Sequence, residues 1–577
     1  MNDKMISFVN QLSPEQIKAC ECMDNMLLTA CPGSGKTRTV AYKLAYLTMA
    51  FPNSRRLHVA ITFTNRAADE ILSRLDDLEI EANNIWAGTI HQFCMEYVIR
   101  PYSMYSVRLH KGYHIIDQYV QIEYKREIAH DLGISCYDGD MDKYPKIVQA
   151  YKRRLIENKE IDFDDILSIS FQMLTKYSFI AENLASLMAS IQVDEYQDTN
   201  EKQYLIISEI CKQDPNIIVS FIGDANQAIY DGLGGVAKTK QDLSFLFHSD
   251  FKELHLTGCF RSTQKIIDYY NNYAVKAMDI VSKKDSGVQG IISYSDRISK
   301  DGLAEYIAEI VEGRLAKGDE AEEICIVAPQ WEIILPMAVK LREILPNVRF
   351  DAPDTTPFKY DAMNPFYLLA RLTFTRPQGN MKIRKKYARE ILEILRDDYG
   401  LDIREEYDCF HLLETINSIP KIMGFDGMEI YRETVKKVLS SMDILLLNEP
   451  TLYECYKSFL EKADERIYRH KLSTLCDDFY KCFERKKGIV INTIHGIKGE
   501  EYNTVIAYGL LEGYIPHWDV IINNPASRKE NAFRLLYVLG SRAKENLYLI
   551  SESGRKTRKN NPYLVTKEIK EVVWQYD

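Results

Sequence analysis

Near its start the chain reads Met26-Leu27-Leu28-Thr29-Ala30-Cys31-Pro32-Gly33-Ser34-Gly35-Lys36-Thr37. The apolar residues at the beginning of this segment predict a short buried strand, and the spacing after Thr37 predicts a helix. A strand, a glycine-containing loop and a helix in this order form the context of a phosphate-binding loop. Gly33 and Gly35 let backbone N–H groups face phosphate oxygens, Lys36 can reach the terminal phosphates, and the Thr37 hydroxyl can bind Mg²⁺. Ala30 stands where the strict pattern has its first glycine.

A pair of acids later in the chain supplies the second half of a nucleotide site. Ile191-Gln192-Val193 predicts a buried strand, and Asp194-Glu195 follows it directly. Asp194 would hold Mg²⁺, and Glu195 would orient and deprotonate the attacking water. An isolated Asp-Glu pair usually lies on a solvated surface, but its position after a strand and its pairing with a phosphate-binding loop favour a nucleoside triphosphatase.

Composition and charge exclude several other classes of protein. The chain has 577 residues, with 73 Lys and Arg against 83 Asp and Glu, so its formal charge is −10. This length allows about four domains, and a net acidic chain can bind nucleic acid only through a local groove. Twelve scattered cysteines without a C-x-x-C pair disfavour a structural zinc or iron–sulfur cluster. Neither a signal peptide nor an apolar run of membrane-spanning length is recognisable, so we expect a cytoplasmic protein without membrane partners.

Further segments, read in order, resemble the motifs of the UvrD/Rep family of superfamily-1 DNA helicases. They are Leu12-Ser13-Pro14-Glu15-Gln16, Ile61-Thr62-Phe63-Thr64-Asn65-Arg66, Gly88-Thr89-Ile90-His91-Gln92, Gly223-Asp224-Ala225-Asn226-Gln227, Gly258-Cys259-Phe260-Arg261-Ser262, His495-Gly496-Ile497-Lys498-Gly499-Glu500-Glu501 and Tyr537-Val538-Leu539-Gly540-Ser541-Arg542. Taken singly, most of these segments would be ordinary strand ends or helix starts; Ser13 with Pro14, for example, also predicts a capped helix.

The resemblance implies an ATP site with Mg²⁺. Gln16 would read the adenine, Phe260 would stack on it, Glu501 would bond the ribose, and Arg261 and Arg542 would contact the γ-phosphate, with Arg542 as the arginine finger. The expected nucleotide-binding residues are Gln16, Gly33, Ser34, Gly35, Lys36, Thr37, Arg38, Phe260, Arg261, Glu501 and Arg542. The expected catalytic residues are Lys36, Asp194, Glu195, Gln227, Arg261 and Arg542, with Thr37 and Asp194 holding the metal through ATP.

The resemblance also implies a single-stranded DNA site. Its expected residues are Phe63, Thr64, Asn65, Thr89, His91, Tyr230 and His495, and Lys498 would help to couple this site to the nucleotide. One departure concerns Gly232 and Leu233, which stand where relatives usually carry Trp and Arg. Because stacking on an aromatic ring contributes about 1–3 kcal/mol per base, we expect weaker single-strand affinity or weaker unwinding than in relatives with the Trp.

The same resemblance implies an α/β fold with two RecA-like parallel-sheet domains, each interrupted by a mainly helical insertion. The expected first domain comprises residues 1–97 and 184–268, with residues 98–183 as its insertion. The expected second domain comprises residues 269–350 and 484–577, with residues 351–483 as its insertion. Strand-like runs at residues 323–328, 488–494, 503–508 and 546–550 support a second parallel sheet. Basic runs such as Arg555-Lys556-Thr557-Arg558-Lys559 are interpreted as solvated surface.

Two candidate functions remain open. The first is an ATP-dependent helicase and single-strand translocase, with 3′ to 5′ movement implied by the family, in repair, recombination or antiphage defence. The second is a DNA-stimulated ATPase switch that regulates a partner nuclease, as in Gabija-type defence systems, with little unwinding of its own. Both have single-stranded DNA and duplex junctions as partners. A P-loop kinase does not explain the paired arginines.

Overall fold

The computed structural model describes residues 11–577 apart from 53, 81–83, 117, 137, 231–233, 285, 286, 288, 289, 353–355, 359, 360, 362, 377–380, 422, 423, 471, 484–487 and 558. The departure predicted at Gly232 and Leu233 and one member of the basic run, Arg558, therefore lie outside the described residues.

The described strands form two six-stranded sheets and two small two-stranded ones. The strands are β1 (Met26–Ala30), β2 (Leu57–Thr62), β3 (Ile85–Thr89), β4 (His114–Ile115), β5 (Glu160–Ile161), β6 (Met188–Asp194), β7 (Ile218–Gly223), β8 (Lys252–Leu256), β9 (Gly258–Cys259), β10 (Val281–Ser282), β11 (Ile292–Ser295), β12 (Ile324–Ala328), β13 (Phe350–Asp351), β14 (Ile489–Thr493), β15 (Tyr502–Ala507) and β16 (Ala543–Ile550). The first sheet has the order β3-β2-β6-β7-β1-β8 and the second the order β11-β16-β15-β12-β14-β13. Every pairing in both is parallel.

Helices connect these strands and cover the sheets. They are α1 (Pro14–Glu21), α2 (Lys36–Ala50), α3 (Asn65–Asp77), α4 (Ile90–Cys94), α5 (Arg100–Tyr102), α6 (Gln118–Asp131), α7 (Pro145–Glu157), α8 (Phe163–Lys176), α9 (Ser178–Leu187), α10 (Glu201–Cys211), α11 (Lys240–Phe247), α12 (Gln264–Asn271), α13 (Leu303–Ala316), α14 (Trp331–Ile344), α15 (Pro365–Thr373), α16 (Met381–Glu393), α17 (Cys409–Asn417), α18 (Gly427–Ser441), α19 (Pro450–His470), α20 (Cys476–Phe483), α21 (Trp518–Asn523), α22 (Arg528–Gly540) and α23 (Lys567–Glu571).

The sequence patterns of the central strands explain their position. Strands β1, β6, β7, β12 and β14 are short apolar runs, and nearly all of their residues are buried, as a parallel sheet covered on both faces requires. The predicted strand–loop–helix at the phosphate-binding loop and the predicted second parallel sheet are both confirmed. In a parallel sheet the carboxyl ends of the strands meet at one edge, so most of the predicted motifs of the first sheet share an edge.

The segments between the sheet-forming parts of the chain are mainly helical. Residues 98–183 contain helices α5 to α9 with the small β4–β5 pair, and residues 351–483 contain helices α15 to α20. Helix α16 of the second segment packs against α3 of the first sheet, where Asp69 accepts hydrogen bonds from Arg371 and Tyr387. The division of the chain into four domains at the boundaries given above stays a prediction.

Gly540 shows why a glycine ends α22. A β-carbon built at this position would lie 2.8 Å from Cβ of Tyr270 on α12, so a larger residue would push the two helices apart.

The helices described here include none long and apolar enough to cross a bilayer. Across the same residues, no group of three or more His, Cys, Asp or Glu side chains is placed to hold a metal ion.

Candidate nucleotide site and single-strand interface

The phosphate-binding loop joins β1 to α2. Gly33 and Gly35 have φ angles of +72° and +80°, a region that glycine enters without steric cost. A β-carbon at Gly33 would lie 2.4 Å from Cβ of Arg261, and the Gly33 carbonyl accepts a hydrogen bond from the Phe260 backbone N–H at 2.9 Å. The loop therefore needs glycine both for its conformation and for the close approach of the Phe260–Arg261 segment.

Thr37 and Asp194 lie next to each other at the start of α2 and the end of β6. The Thr37 hydroxyl donates to Asp194 Oδ2 at 3.4 Å. A hydroxyl and a carboxylate oxygen beside a phosphate-binding loop are ligands that Mg²⁺ accepts together with phosphate oxygens and water. The two residues fit the expected ion, which would neutralise phosphate charge when bound.

Lys36 of the phosphate-binding loop and Glu195 at the end of β6 face each other. The Lys36 ammonium lies 3.8 Å from Glu195 Oε1. Glu195 has a left-handed backbone with φ +54°, an uncommon conformation for a non-glycine residue, and it directs the carboxylate back toward the loop. The Gln197 side-chain N–H donates to Glu195 Oε2 at 2.5 Å and so fixes the carboxylate's orientation.

The two adjacent acids differ in protonation. Burial, followed by the negative charge of Glu195, raises the pKa of Asp194 to about 7. Burial also opposes ionisation of Glu195, but the charges of Lys36 and Lys498 and the Gln197 hydrogen bond hold its pKa below the usual value. Glu195 is therefore ionised at neutral pH and can accept a proton from water, as a general base must.

A chain of side-chain contacts connects this carboxylate to the second sheet. Gln197 Oε1 accepts from the Asp224 backbone N–H at 3.0 Å, and Gln227 donates to Asp224 Oδ2 at 2.8 Å. The Arg542 guanidinium then donates to Gln227 Oε1 at 2.8 Å. Gln227 thus contacts a group from each side of the cleft between the sheets.

Arg542 is almost completely buried, at 1% exposure. Burial, followed by the nearby Arg261 charge, lowers its pKa to about 9, so it is still a cation at neutral pH. Its backbone carbonyl accepts from the Tyr502 N–H at 3.0 Å, which anchors it to the start of β15. A buried cation aimed across the cleft is suited to stabilise charge on a transferred phosphoryl group.

Arg261 and Glu501 form a second contact across the cleft between the two sheets. Arg261 donates to Glu501 Oε2 at 2.7 Å and to the Ser541 carbonyl at 3.0 Å. Burial by itself would raise the pKa of Glu501, but the positive charges of Arg261 and Lys544 outweigh it and hold this pKa below its usual value. Phe260, the residue before Arg261, is 49% exposed, so its ring is accessible to a base, and its stacking role stays a prediction.

Gln16 and Arg38 border the loop on its other side. Ser13 caps α1 as predicted, and Gln16 completes the capping box while its side-chain N–H donates to the Ser34 carbonyl at 2.9 Å. Arg38 donates to the Gln11 carbonyl at 2.9 Å. The structure thus places both residues beside the phosphate-binding loop, and their roles toward a base stay predictions.

Lys498 forms a buried ion pair between the two sheets. Its ammonium lies 2.6 and 2.7 Å from the two carboxylate oxygens of Asp198, which follows Glu195 by three residues. Lys498 also donates to the Gln227 carbonyl at 2.6 Å and lies 4.8 Å from the centre of the Tyr230 ring. Burial raises the pKa of Asp198 to about 7, although the positive charge of Lys498 acts to lower it. One cation therefore contacts both the turn that follows Glu195 and the aromatic ring of Tyr230.

Three predicted DNA-contacting side chains meet at that ring. Phe63 and Tyr230 stack with centroids 4.7 Å apart and an interplanar angle of 28°. Tyr230 lies 5.7 Å from the His495 ring and donates to the His495 carbonyl at 3.2 Å. Burial lowers the pKa of His495, so its ring is neutral at neutral pH. We call Phe63, Tyr230 and His495 the base slot.

The remaining predicted DNA contacts lie at helix starts of the first sheet. Thr64 and Thr89 are the N-caps of α3 and α4, and Asn65 is the first residue of α3. His91 packs edge-on against Phe163, and burial lowers its pKa to about 4. These residues are placed by local capping chemistry, and their contacts with DNA stay predictions.

We predict that replacing Tyr230 with alanine lowers single-strand affinity. Loss of one stacking ring is worth about 1–3 kcal/mol, and we expect a dissociation constant roughly ten times higher. Fluorescence anisotropy with labelled oligothymidylate measures this. Tyr230→Phe, which keeps the ring, serves as the matched control, and equal affinity of the alanine variant and the wild type would refute the base slot.

Sequence reasoning missed several residues that connect the two sheets. Asp198, Gln197 and Glu500 were assigned no role, yet Asp198 pairs with Lys498, Gln197 orients Glu195, and Glu500 pairs with Arg66 of α3. The only available signal was that Gln197 and Asp198 directly follow the Asp194–Glu195 pair. Asp198 and Lys498 are 300 residues apart in sequence, and Arg66 and Glu500 are 434 apart, so no local pattern identifies these two pairs.

Together these features define a class: a P-loop nucleoside triphosphatase whose site is shared by two parallel sheets. Residues 12–136 and 124–245 match the UvrD/REP helicase N-terminal domain, and residues 430–554 match the UvrD-like helicase C-terminal domain. The chain therefore belongs to the UvrD/Rep-type superfamily-1 helicases, a family of ATP-dependent DNA helicases.

The similarity to individual relatives covers nearly the whole chain. The ATP-dependent DNA helicase PcrA of Staphylococcus epidermidis is 23% identical over 656 aligned residues, covering 98% of this chain and 87% of the relative. PcrA of Bacillus subtilis is 23% identical, with 96% and 84% covered. PcrA of Staphylococcus aureus is 24% identical, with 98% and 87% covered.

Proposed function

We propose that this protein hydrolyses ATP in the cleft between its two sheets and uses the cycle to move along single-stranded DNA. The observation that carries the proposal is the position of Lys498. It binds the turn that follows Glu195 and also lies on the Tyr230 ring of the base slot. A change at the nucleotide would therefore reach the DNA side through a single side chain.

The nucleotide-binding residues have different roles in ATP hydrolysis. Lys36 and the loop N–H groups bind phosphate oxygens, and Thr37 and Asp194 would hold Mg²⁺. Glu195 orients a water molecule and takes its proton. Arg261 bonds the γ-phosphate from beside the phosphate-binding loop and Arg542 from the second side of the cleft, and Gln16, Phe260 and Glu501 bind the adenosine.

The movement follows from differential binding. A γ-phosphate bonded by Lys36 on one sheet and by Arg542 on the other favours the closed cleft, and its loss after hydrolysis removes that preference. If the base slot and the edge of the second sheet bind DNA with alternating strength, each cycle displaces the protein along the strand. The family membership supports 3′ to 5′ movement.

A strand-displacement assay tests this proposal. We expect the isolated chain with ATP and Mg²⁺ to unwind a duplex that carries a 3′ single-stranded overhang, and not one with a 5′ overhang. Unwinding from the 5′ overhang alone would refute the direction.

The same assay separates the alternative function. ATP hydrolysis that is stimulated by single-stranded DNA but accompanied by no unwinding from either overhang would favour a switch subunit that acts through a partner nuclease. Lack of any DNA stimulation would contradict both functions.

A further inference from the structure

Glu500 contacts an arginine from each side of the cleft between the sheets. The Arg66 guanidinium, on α3 of the first sheet, donates to both carboxylate oxygens of Glu500, with Nη2 3.0 Å from Oε2. On the second side, the backbone carbonyl of Glu500 accepts from Arg542 Nη1 at 3.3 Å. The roles assigned above do not use the Glu500 side chain, although it stands next to Glu501 of the nucleotide site.

The turn that contains Glu500 is bonded to Arg542 at two points. Gly499 has a φ angle of +86°, and the Glu500 N–H donates to the Ile497 carbonyl at 3.0 Å. Two residues later, the Tyr502 N–H donates to the Arg542 carbonyl at 3.0 Å. Because Arg542 is bonded to this turn through its side chain and through its backbone, a displacement of the turn displaces the guanidinium as well.

Each nitrogen of the Arg542 guanidinium has an acceptor. Nε donates to the Val538 carbonyl of α22 at 3.1 Å, and Nη2 donates to Gln227 Oε1 at 2.8 Å and to the Ser541 hydroxyl at 2.9 Å. Among the described residues, Glu500 alone accepts from Nη1. The orientation of this arm of the guanidinium therefore depends on where the Glu500 turn lies.

Arg66 stands at a place where a bound strand would influence it. It is the second residue of α3 and directly follows Thr64 and Asn65, two of the predicted DNA contacts. The Arg66 side chain is 61% exposed, whereas that of Glu500 is 14% exposed. A strand held at the start of α3 would therefore lie beside Arg66, while Glu500 is the more buried partner and adjoins Arg542.

An ion pair of this kind fixes orientation more than it adds stability. Two parallel N–H···O bonds between a guanidinium and a carboxylate give the pair a defined geometry, which an ammonium does not provide. An ion pair with one partner mostly in water contributes little to the free energy of unfolding. Loss of the Arg66–Glu500 pair should therefore shift the groups that it connects and leave the fold intact.

We propose that Glu500 is a positioning residue for ATP hydrolysis: Arg66 holds it from the DNA side of the first sheet, and its carbonyl directs Arg542 toward the γ-phosphate. The inference rests on the proposed function, because it assumes that Arg542 acts on ATP and that DNA binds at the start of α3. It adds a connection between the two sites that is separate from the one made by Lys498.

Neutral variants of the pair test this role. Glu500→Gln keeps the backbone carbonyl and the length of the side chain but removes its charge, and Arg66→Gln removes the opposite charge. Because a misplaced catalytic group slows the chemical step, we expect each variant to lower kcat at saturating oligothymidylate about tenfold and to leave KM for ATP unchanged. The double variant should lose no more than either single one. Phosphate release at varied ATP concentration measures both constants.

Reversal of the two charges separates positioning from other effects. Arg66→Glu combined with Glu500→Arg restores an ion pair in the opposite sense, so it should recover part of the kcat that each single reversal loses. Saturating DNA makes this measurement independent of any change in single-strand affinity. Arg74→Gln breaks an ion pair with Glu70 on the same helix, and as the matched control it should keep the wild-type kcat.

The outcomes distinguish the positioning role from the function on which it rests. If oligothymidylate does not stimulate ATP hydrolysis by the wild type, the proposed function fails together with this inference. If it does, and both glutamine variants melt and hydrolyse ATP like the wild type, only the positioning role is wrong. Losses that multiply to about a hundredfold in the double variant would show independent action, and faster hydrolysis without DNA would show that the pair restrains the cleft. Either result would overturn the role.

Discussion

Replacing Arg542 with alanine is expected to lower the rate of DNA-stimulated ATP hydrolysis by about 10³- to 10⁵-fold. The physical reason is that Arg542 is a buried cation from the second sheet that already bonds Gln227 of the first. Alanine removes this charge from the place where the transferred phosphoryl group gains negative charge, and water does not replace it in a closed cleft. Steady-state phosphate release in the presence of oligothymidylate measures the loss.

Two further variants show whether the effect is chemical. Arg542→Lys keeps a charge but not the forked geometry, so it should recover only part of the rate. Lys529→Ala, on the same helix but 64% exposed, should hydrolyse ATP like the wild type. A folded Arg542→Ala protein with a rate within tenfold of the wild type would remove this residue from the site.

Lys36→Ala is expected to lower ATP hydrolysis by at least about 10³-fold, with or without DNA. Lys36 comes directly after the loop that contains the positive-φ glycines Gly33 and Gly35, and its ammonium lies 3.8 Å from Glu195 Oε1. Its removal deprives the β- and γ-phosphates of their nearest cation and leaves two acids facing them. Phosphate release and binding of a fluorescent ATP analogue report the two consequences.

Lys18→Ala provides the matched control for this variant. Lys18 is exposed on α1, the helix that precedes the loop, and has no part in the proposed site. We expect wild-type hydrolysis from it. Hydrolysis by Lys36→Ala that persists at a wild-type rate would disprove the nucleotide site as assigned here.

The sequence allowed the fold and the nucleotide side of the site to be predicted because both depend on local patterns. Residues 26–37 specify strand, loop and helix within twelve residues, and the structure has a strand at Met26–Ala30 and a helix from Lys36. The same holds for β6, whose apolar run ends at Asp194. Apolar runs of five to seven residues likewise located four of the six strands of the second sheet, β12, β14, β15 and β16, but not the short edge strands β11 and β13.

Contacts across the cleft could not be predicted in this way. Lys498 and Asp198 are 300 residues apart, and Arg66 and Glu500 are 434 apart. Their pairing depends on how the two sheets face each other, which no local spacing encodes.

The route of the chain through the second sheet has a consequence during synthesis. Strand β12 ends at Ala328, but its neighbours β14 and β15 begin only at Ile489 and Tyr502. At about 5–20 residues per second a ribosome needs roughly 10–30 s to make the intervening segment. Throughout that time both edges of an entirely apolar strand lack their partners, so the nascent chain presents a target for chaperones until β14 and β15 emerge.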